Sequence, residues 1–488
     1  MCKIENFSKY YKTSFIGKII SGLDVTEEST LFQSAKESFI LQKLNQFFAF
    51  SQNLFSKLSE TSIFVKNLDT IILFFITLLM VSIIVAPTGI IGLLVFICFA
   101  LSFIKICLMK GEKFSINSLD TAIFLYLAIA GLSVAFSYMP VASAKGFAKM
   151  LIYFGAYLTF YNIIKDHPKR TLYLLGTLAV IASIEAFYCI YQQIHGVDAL
   201  AGWQDMSKSN PEQLMNRVYG TLKPYNPNLL AGYLIASFSS AAGMFFYFIA
   251  KRTTKLAVLS GIGAFAILLA IVFTGSRGAY IAVTGMTALL IVISGHIIWH
   301  DYSDKKWLKN LWLGIVVSGI IAVILAIIAS PALQHRIASI FAARADSSNS
   351  FRMNVWVASF KMFLDNWFIG IGTGNTVFRL TYGLYMVTGF DALGAYCVPL
   401  EIAAESGIFA LLAFSWIILM VVVKSIKTII SKTTIEQKII ISACLIGITG
   451  MMLHGLVDTI FYRPQVNIIF WMLIAIFAAN MNLNKITK

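Results

Sequence analysis

The sequence predicts an all-α integral membrane protein with about twelve transmembrane helices. Three observations carry that prediction. Of its 488 residues, 58% are hydrophobic, against about 45–50% in a soluble domain. Only 12% are charged, about half the usual share, and the mean hydropathy is +0.79. Apolar runs such as 71–86 recur along the chain, and a soluble fold would expose them to water. Each run must be helical, because hydrocarbon cannot satisfy an open sheet edge. The six cysteines (Cys2, Cys98, Cys107, Cys189, Cys397, Cys444) show no CxxC or other ligand spacing, so neither a disulfide framework nor a zinc site is predicted.

Residues 1–69 precede the first span and hold no continuous apolar run of spanning length. Within them, 31–55 mixes Phe32, Phe39, Leu41, Leu44, Phe47 and Phe48 with Lys36, Lys43 and several glutamines. That mixture suits an amphipathic helix on the inner leaflet, with a partner-docking helix as the alternative. No cleavable signal is expected, since its apolar core is missing. From 70 to 482 the chain reads as one polytopic membrane domain. A crossing takes about 20 mostly apolar residues. The first six are expected at 71–86, 88–108, 119–136, 147–164, 172–194 and 229–250. The second six follow at 256–274, 279–299, 311–330, 400–423, 439–456 and 466–481.

Orientation follows from lysine and arginine, which favour the cytoplasmic connections. One alternating set carries Lys105, Lys110 and Lys113, then Lys165, Lys169 and Arg170, then Lys251, Arg252 and Lys255. Lys305, Lys306 and Lys309 continue it, followed by Lys424, Lys427, Lys432 and Lys438, with Lys485 and Lys488 in the tail. In the opposite set, 86–89 carries no such residue and 275–278 only Arg277. Both termini are therefore expected in the cytoplasm. The same bias explains most of the net charge of +15, so no nucleic-acid partner is needed. Two outer connections are long, 195–228 and 331–398. Long loops in compact proteins are usually functional or internally structured, and 353–360 has helical spacing. Function is sought on the outer face.

Five segments there carry chemistry. The first holds Arg217, Tyr219, Gly220, Asn226, Pro227 and Asn228, and the second Gly275, Ser276, Arg277 and Gly278. The large loop brings Arg352 and Trp356, then Gly370, Gly372, Gly374 and Asn375. The tenth span opens with Tyr396, Pro399, Glu401 and Glu405, and the last outer turn holds His454 and Asp458. In this order, over about 215–475, they resemble the O-antigen ligase and O-antigen polymerase superfamily of bacterial envelope glycan enzymes.

The resemblance implies a bundle like that of the class C glycosyltransferases, with a large outer loop between helices 9 and 10. It implies transfer of an undecaprenyl-diphosphate-linked glycan to an acceptor hydroxyl on the outer face of the inner membrane. The family is metal-independent and uses no cofactor. The implied partners are the lipid-linked donor, a glycan or lipid acceptor and membrane lipids. Ligases deliver to a lipid A core and polymerases to another lipid-linked repeat; both stay open. A transporter or flippase of lipid-linked glycan is the alternative from another class. Transporters show related halves and broken midplane helices, whereas no internal repeat is seen here and the informative residues share one face. A peptidoglycan polymerase of the shape, elongation and division type fits the motif order and the second long loop less well.

Residue by residue, each functional reading stands beside a bland one. Arg277 sits in a very short turn next to hydrocarbon, where a charge is costly and functional by default. Snorkelling to headgroups is its alternative, but Gly275 and Gly278 favour close approach of an anion. Arg352 offers a planar fork for two phosphate oxygens, or a solvated charge answered by Asp346. Arg217 binds phosphate or caps its loop. The family places a histidine where this chain has Tyr396, and a phenol of pKa about 10 is a poor base. Glu405 is then the expected proton acceptor, with Glu401 four residues away on the same face. His335 and His454 are other bases or structural histidines. Asn226 and Asn228 cap the sixth span or contact glycan. Asp458 is a structural partner of Arg463. Gly370, Gly372 and Gly374 shape a loop for close backbone packing, because no strand precedes them to make a nucleotide loop.

Overall fold

The computed structural model describes residues 22–26, 28–197 and 215–481. The lysines expected near both ends of the chain, including Lys485 and Lys488, lie outside those residues, as does much of the expected loop 195–228. Among the described residues there is helix and no strand. Helices are numbered in chain order. Four short ones open the chain: α1 (Thr30–Lys36), α2 (Phe39–Leu54), α3 (Ser56–Thr61) and α4 (Ile63–Lys66). The bundle follows with α5 (Leu68–Val85), α6 (Thr88–Leu108), α7 (Asp120–Ala135), α8 (Pro140–Ile164) and α9 (Lys169–His195). Next come α10 (Pro227–Ala250), α11 (Thr254–Phe273), α12 (Arg277–Asp301) and α13 (Lys306–Ala329). The large loop contains α14 (Pro331–Ala338), α15 (Ser347–Asp365) and α16 (Asn375–Tyr382), and α17 (Val398–Ile430), α18 (Ile435–Gly455) and α19 (Pro464–Asn480) end the chain.

Ten of these helices are long and apolar enough to cross a membrane. The other two expected crossings, α7 and α19, have 16 and 17 residues. At 1.5 Å per residue they reach only about 24–26 Å, short of the roughly 30 Å hydrocarbon core. The chain is a multi-pass membrane protein, and its described residues contain ten such helices with two shorter apolar ones packed among them. α10, α18 and α19 form the centre and are almost wholly buried. α13 buries no residue at all, presenting its full apolar surface to the surroundings.

Two faces result. One gathers 215–226, 274–276, 330–397 and 456–463; it is called the loop face below. Helices that start there often carry proline in the first turn: α8, α10, α14, α17 and α19. Proline fits there because a first-turn N–H has no partner within the helix. The opposite face collects the paired lysines. Lys105 bridges Asp69 and Glu112, each at 2.8 Å, Arg170 joins Asp69 at 2.8 Å, and Lys438 reaches Asp301 at 2.7 Å.

The N-terminal segment docks on this second face. In α2, Phe48 is buried against Phe103 and Phe114, and Gln52 donates to the Ile106 and Glu112 carbonyls at 2.7 and 2.8 Å. Phe39, Ile40, Phe47 and Phe50 point outward. Ahead of α1, Asp24 pairs with Lys424 and Lys427, and Trp416 donates to the Leu23 carbonyl at 2.6 Å.

α17 is broken at Gly407, whose φ is +78°. A break leaves backbone groups without intrahelical partners, and the 367–372 loop supplies them. Ile371 N donates to the Ala404 carbonyl at 3.0 Å, Gly372 N to the Glu405 carbonyl at 2.9 Å, and Ile408 N to the Trp367 carbonyl at 2.8 Å. The loop lies so close that a Cβ on Gly370 would come within 2.4 Å of the Glu405 backbone. The glycines of this loop serve backbone packing, and they hold the loop-face end of α17 in place.

Candidate functional site

The loop face concentrates arginine. Gly275 turns the chain between α11 and α12 with φ +59°, and Arg277 begins α12. Arg277 is 7% exposed and meets Asp346 at 2.8 Å, with the Ser339 carbonyl and hydroxyl each at 3.3 Å from Nη1. Asp346 also caps α15 by accepting from Asn349 N at 2.9 Å. Burial works to raise the Asp346 carboxyl, but the Asn349 amide and the Arg277 guanidinium outweigh it and hold it below its ordinary range. The partner of Asp346 is thus Arg277, not Arg352 as its place in the sequence suggested.

Around the same turn, Arg217 donates from Nε to the Thr274 carbonyl and from Nη2 to Asn228 Oδ1, both at 2.7 Å. Asn226 Oδ1 accepts from Asn228 N at 2.8 Å and caps α10. The two asparagines therefore set the helix entry and hold Arg217. Arg336, which the sequence reading passed over, donates from Nε to the Gly275 carbonyl at 2.6 Å. It follows His335 on α14, in a polar stretch where an arginine looks merely solvated. Burial disfavours the charge on Arg217, as do Arg336, Arg352 and Arg277, with Tyr280 acting in the opposite sense. A guanidinium does not give up its proton, so the positive charge gathered around Arg217 favours an anion.

Arg352 differs from the others. Its Nη1 donates to Ser348 Oγ at 2.8 Å, while Nη2 lies 3.7 Å from Asp458. Its Nε is buried with no hydrogen-bond partner. Asp458 faces Arg352 rather than the expected Arg463, which instead lies over the Tyr462 ring at 4.7 Å. The Tyr396 ring stands 6.0 Å from the Arg352 guanidinium and edge-on to Phe351 at 5.4 Å. Tyr396 has φ +52°, and Trp356 Nε1 fixes it by donating to its carbonyl at 3.1 Å. Burial raises its phenol above the ordinary value, Asp458 and Glu401 adding to this and Arg352 and Arg463 opposing it.

The two carboxylates lie one turn apart on α17. Glu401 Oε2 accepts from Ala395 N at 3.0 Å, beside Tyr396. Glu405 Oε2 accepts from Gly374 N at 2.9 Å, deeper along the helix. His454 is 1% exposed, and neither ring nitrogen has a hydrogen-bond partner. It packs against Gly278, where a Cβ would approach its ring to 2.8 Å. Among the described residues no group of three or more His, Cys, Asp or Glu side chains is placed to hold a metal ion.

A family model described as O-antigen ligase matches residues 262–415. Over that stretch the chain is similar to the O-antigen ligase family. No curated protein matches it. The matched stretch is shorter than the 215–475 over which the motifs run. It includes Arg277, Arg336, Arg352, Tyr396, Glu401 and Glu405, and leaves out Arg217, Asn226, Asn228, His454 and Asp458. Those five belong to the loop before α10, to α10 and to the end of α18, and the fold brings them to the same face as the matched stretch. The family points to glycan assembly by a glycosyltransferase-type enzyme.

Proposed function

We propose that this protein is a ligase or polymerase that moves a glycan from undecaprenyl diphosphate to an acceptor hydroxyl, in cell-surface polysaccharide assembly. In this reading the reaction takes place on the loop face, at the outside of the inner membrane with both termini cytoplasmic, a sidedness supported by the lysine-poor connections. The observation that carries this reading is the cluster of Arg217, Arg277, Arg336 and Arg352 against the carboxylates of Asp346 and Asp458. The Arg352 fork, with an unpartnered Nε and an Nη2 that lies 3.7 Å from Asp458, suits two phosphate oxygens.

The glycosyl C1–O bond to the diphosphate breaks while the acceptor oxygen bonds to C1. Negative charge grows on the leaving diphosphate, and guanidinium groups already aimed there lower the barrier. The acceptor proton passes to a carboxylate on α17. We assign that role to Glu401 rather than to Glu405, one turn away, on the ground that Glu401 lies beside Tyr396 and its charge reaches the phenol. Tyr396 stays protonated, positions substrate and donates a hydrogen bond. Arg277 holds the loop through Asp346 and adds to the field.

The test uses purified protein in lipid nanodiscs, supplied with polyprenyl-diphosphate glycan from the source cells. A larger glycan product with release of polyprenyl diphosphate is expected. In proteoliposomes, unchanged donor appearing in the opposite leaflet without any larger product would make the protein a transporter instead.

A further inference from the structure

A recess opens on the loop face between α8, α17 and α19. Its mouth is a groove of about 530 Å³ lined by Lys145, Lys149, Asn375 and Tyr462, a volume within the usual range for small-ligand sites. Lys149, Asn375 and Tyr462 also line a cavity that continues between α8, α17 and α19. Tyr153 and Trp471 supply its aromatic wall, and Glu401 and Glu405 both border it. Flat aromatic surfaces with polar edges, set against acceptor-only carboxylates, match a ring that is apolar on its faces and rimmed with hydroxyls.

Asn467 gives the independent observation. It borders the cavity and is 9% exposed. Its Nδ2 donates to the Phe461 carbonyl at 3.1 Å, but Oδ1 has no hydrogen-bond partner. A buried acceptor without a donor is costly, so this position calls for a ligand that brings an O–H or N–H. An acyl or prenyl chain brings neither.

We propose that this cleft is the acceptor-sugar subsite, seating the hydroxyl-bearing end of a glycan against Asn467 and the carboxylate pair. The inference rests on the glycosyl-transfer reading above. Glu401 joins the two halves of the site: it borders the cleft, and its Oε2 bonds to Ala395 N, next to the Tyr396 that faces Arg352. A sugar in the cleft thus presents its reacting hydroxyl at the edge of the arginine cluster.

The probe is the free glycan, cut from its lipid by mild acid, which carries no diphosphate and so can report on the acceptor side alone. Lys149→Cys is introduced after the six native cysteines are replaced, and its maleimide labelling rate is followed in nanodiscs. Free glycan should slow labelling at least about fivefold, and Asn467→Leu, which keeps the branch at Cγ but removes the amide, should abolish that protection. Retention of labelled polyprenyl diphosphate should be unchanged by Asn467→Leu. No protection by free glycan overturns the proposal, and so does protection by polyprenyl diphosphate alone, since the cleft would then serve the donor. Should Asn467→Leu fail to fold, the Lys149→Cys measurement decides by itself. Protection by glycan together with full polyprenyl diphosphate retention in Arg352→Ala would instead count against the donor reading and leave the cleft standing.

Discussion

Arg277 and Arg352 occupy the same face with different commitments. Arg277 is enclosed by Asp346 and Ser339, whereas Arg352 has a loose pair at 3.7 Å and an Nε without a partner. The three arginines next to hydrocarbon or inside motifs were readable from sequence, because a charge in such places stands out. Arg336 was not, since its bond to Gly275 joins residues 61 apart. The pairings of Asp346 and Asp458 were likewise misread from proximity along the chain. The proton acceptor is a residue-scale question too. Glu401→Gln keeps shape and removes the base, and should lower turnover by about 100-fold or more, the usual scale for general-base loss. Tyr396→Phe keeps the ring beside Arg352 and should retain most activity. A transfer assay at matched expression compares the two; a dead Tyr396→Phe with an active Glu401→Gln would exchange their roles.

At the scale of elements, the Arg277–Asp346 pair fastens α15 to the start of α12. Asp346→Ala leaves Arg277 buried and unpaired and also removes the α15 cap, a change that typically costs about 3–5 kcal/mol for the pair alone. Faster proteolysis within 330–365 is the expected readout, and an unchanged digestion pattern would show that the loop is held by other contacts. The Asp346 carboxyl is held below its ordinary value, so its contribution is present above the unfolded pKa of about 3.9. It is lost as pH falls through the lower folded value. The fastening should therefore survive mild acid and fail only in strong acid. Hydropathy made the long spans legible, and helical spacing pointed to α15. The break at Gly407 was hidden, because its cause is the 367–372 loop that satisfies the freed backbone groups.

For the molecule as a whole, the lysine bias and the helix order agree: the arginine cluster and large loop share one face, and the lysine pairs lie on the other. The centre of the bundle was not legible from hydropathy, because α13, the most apolar of the long helices, buries no residue, while the less apolar α10 and α18 are the buried ones. In a cysteine-free background, an impermeant maleimide should label Ser347→Cys in intact cells and Lys305→Cys only after lysis. The reverse pattern would turn the protein over and remove the outer-face site. The central claim, that the loop-face arginines hold the donor diphosphate, is tested most directly by retention of labelled polyprenyl diphosphate on purified protein in nanodiscs. Wild type should bind it, Arg352→Ala should lose at least about tenfold in affinity, and Arg352→Lys should recover little, because lysine lacks the bidentate fork. Equal affinity in wild type and Arg352→Ala would contradict the account.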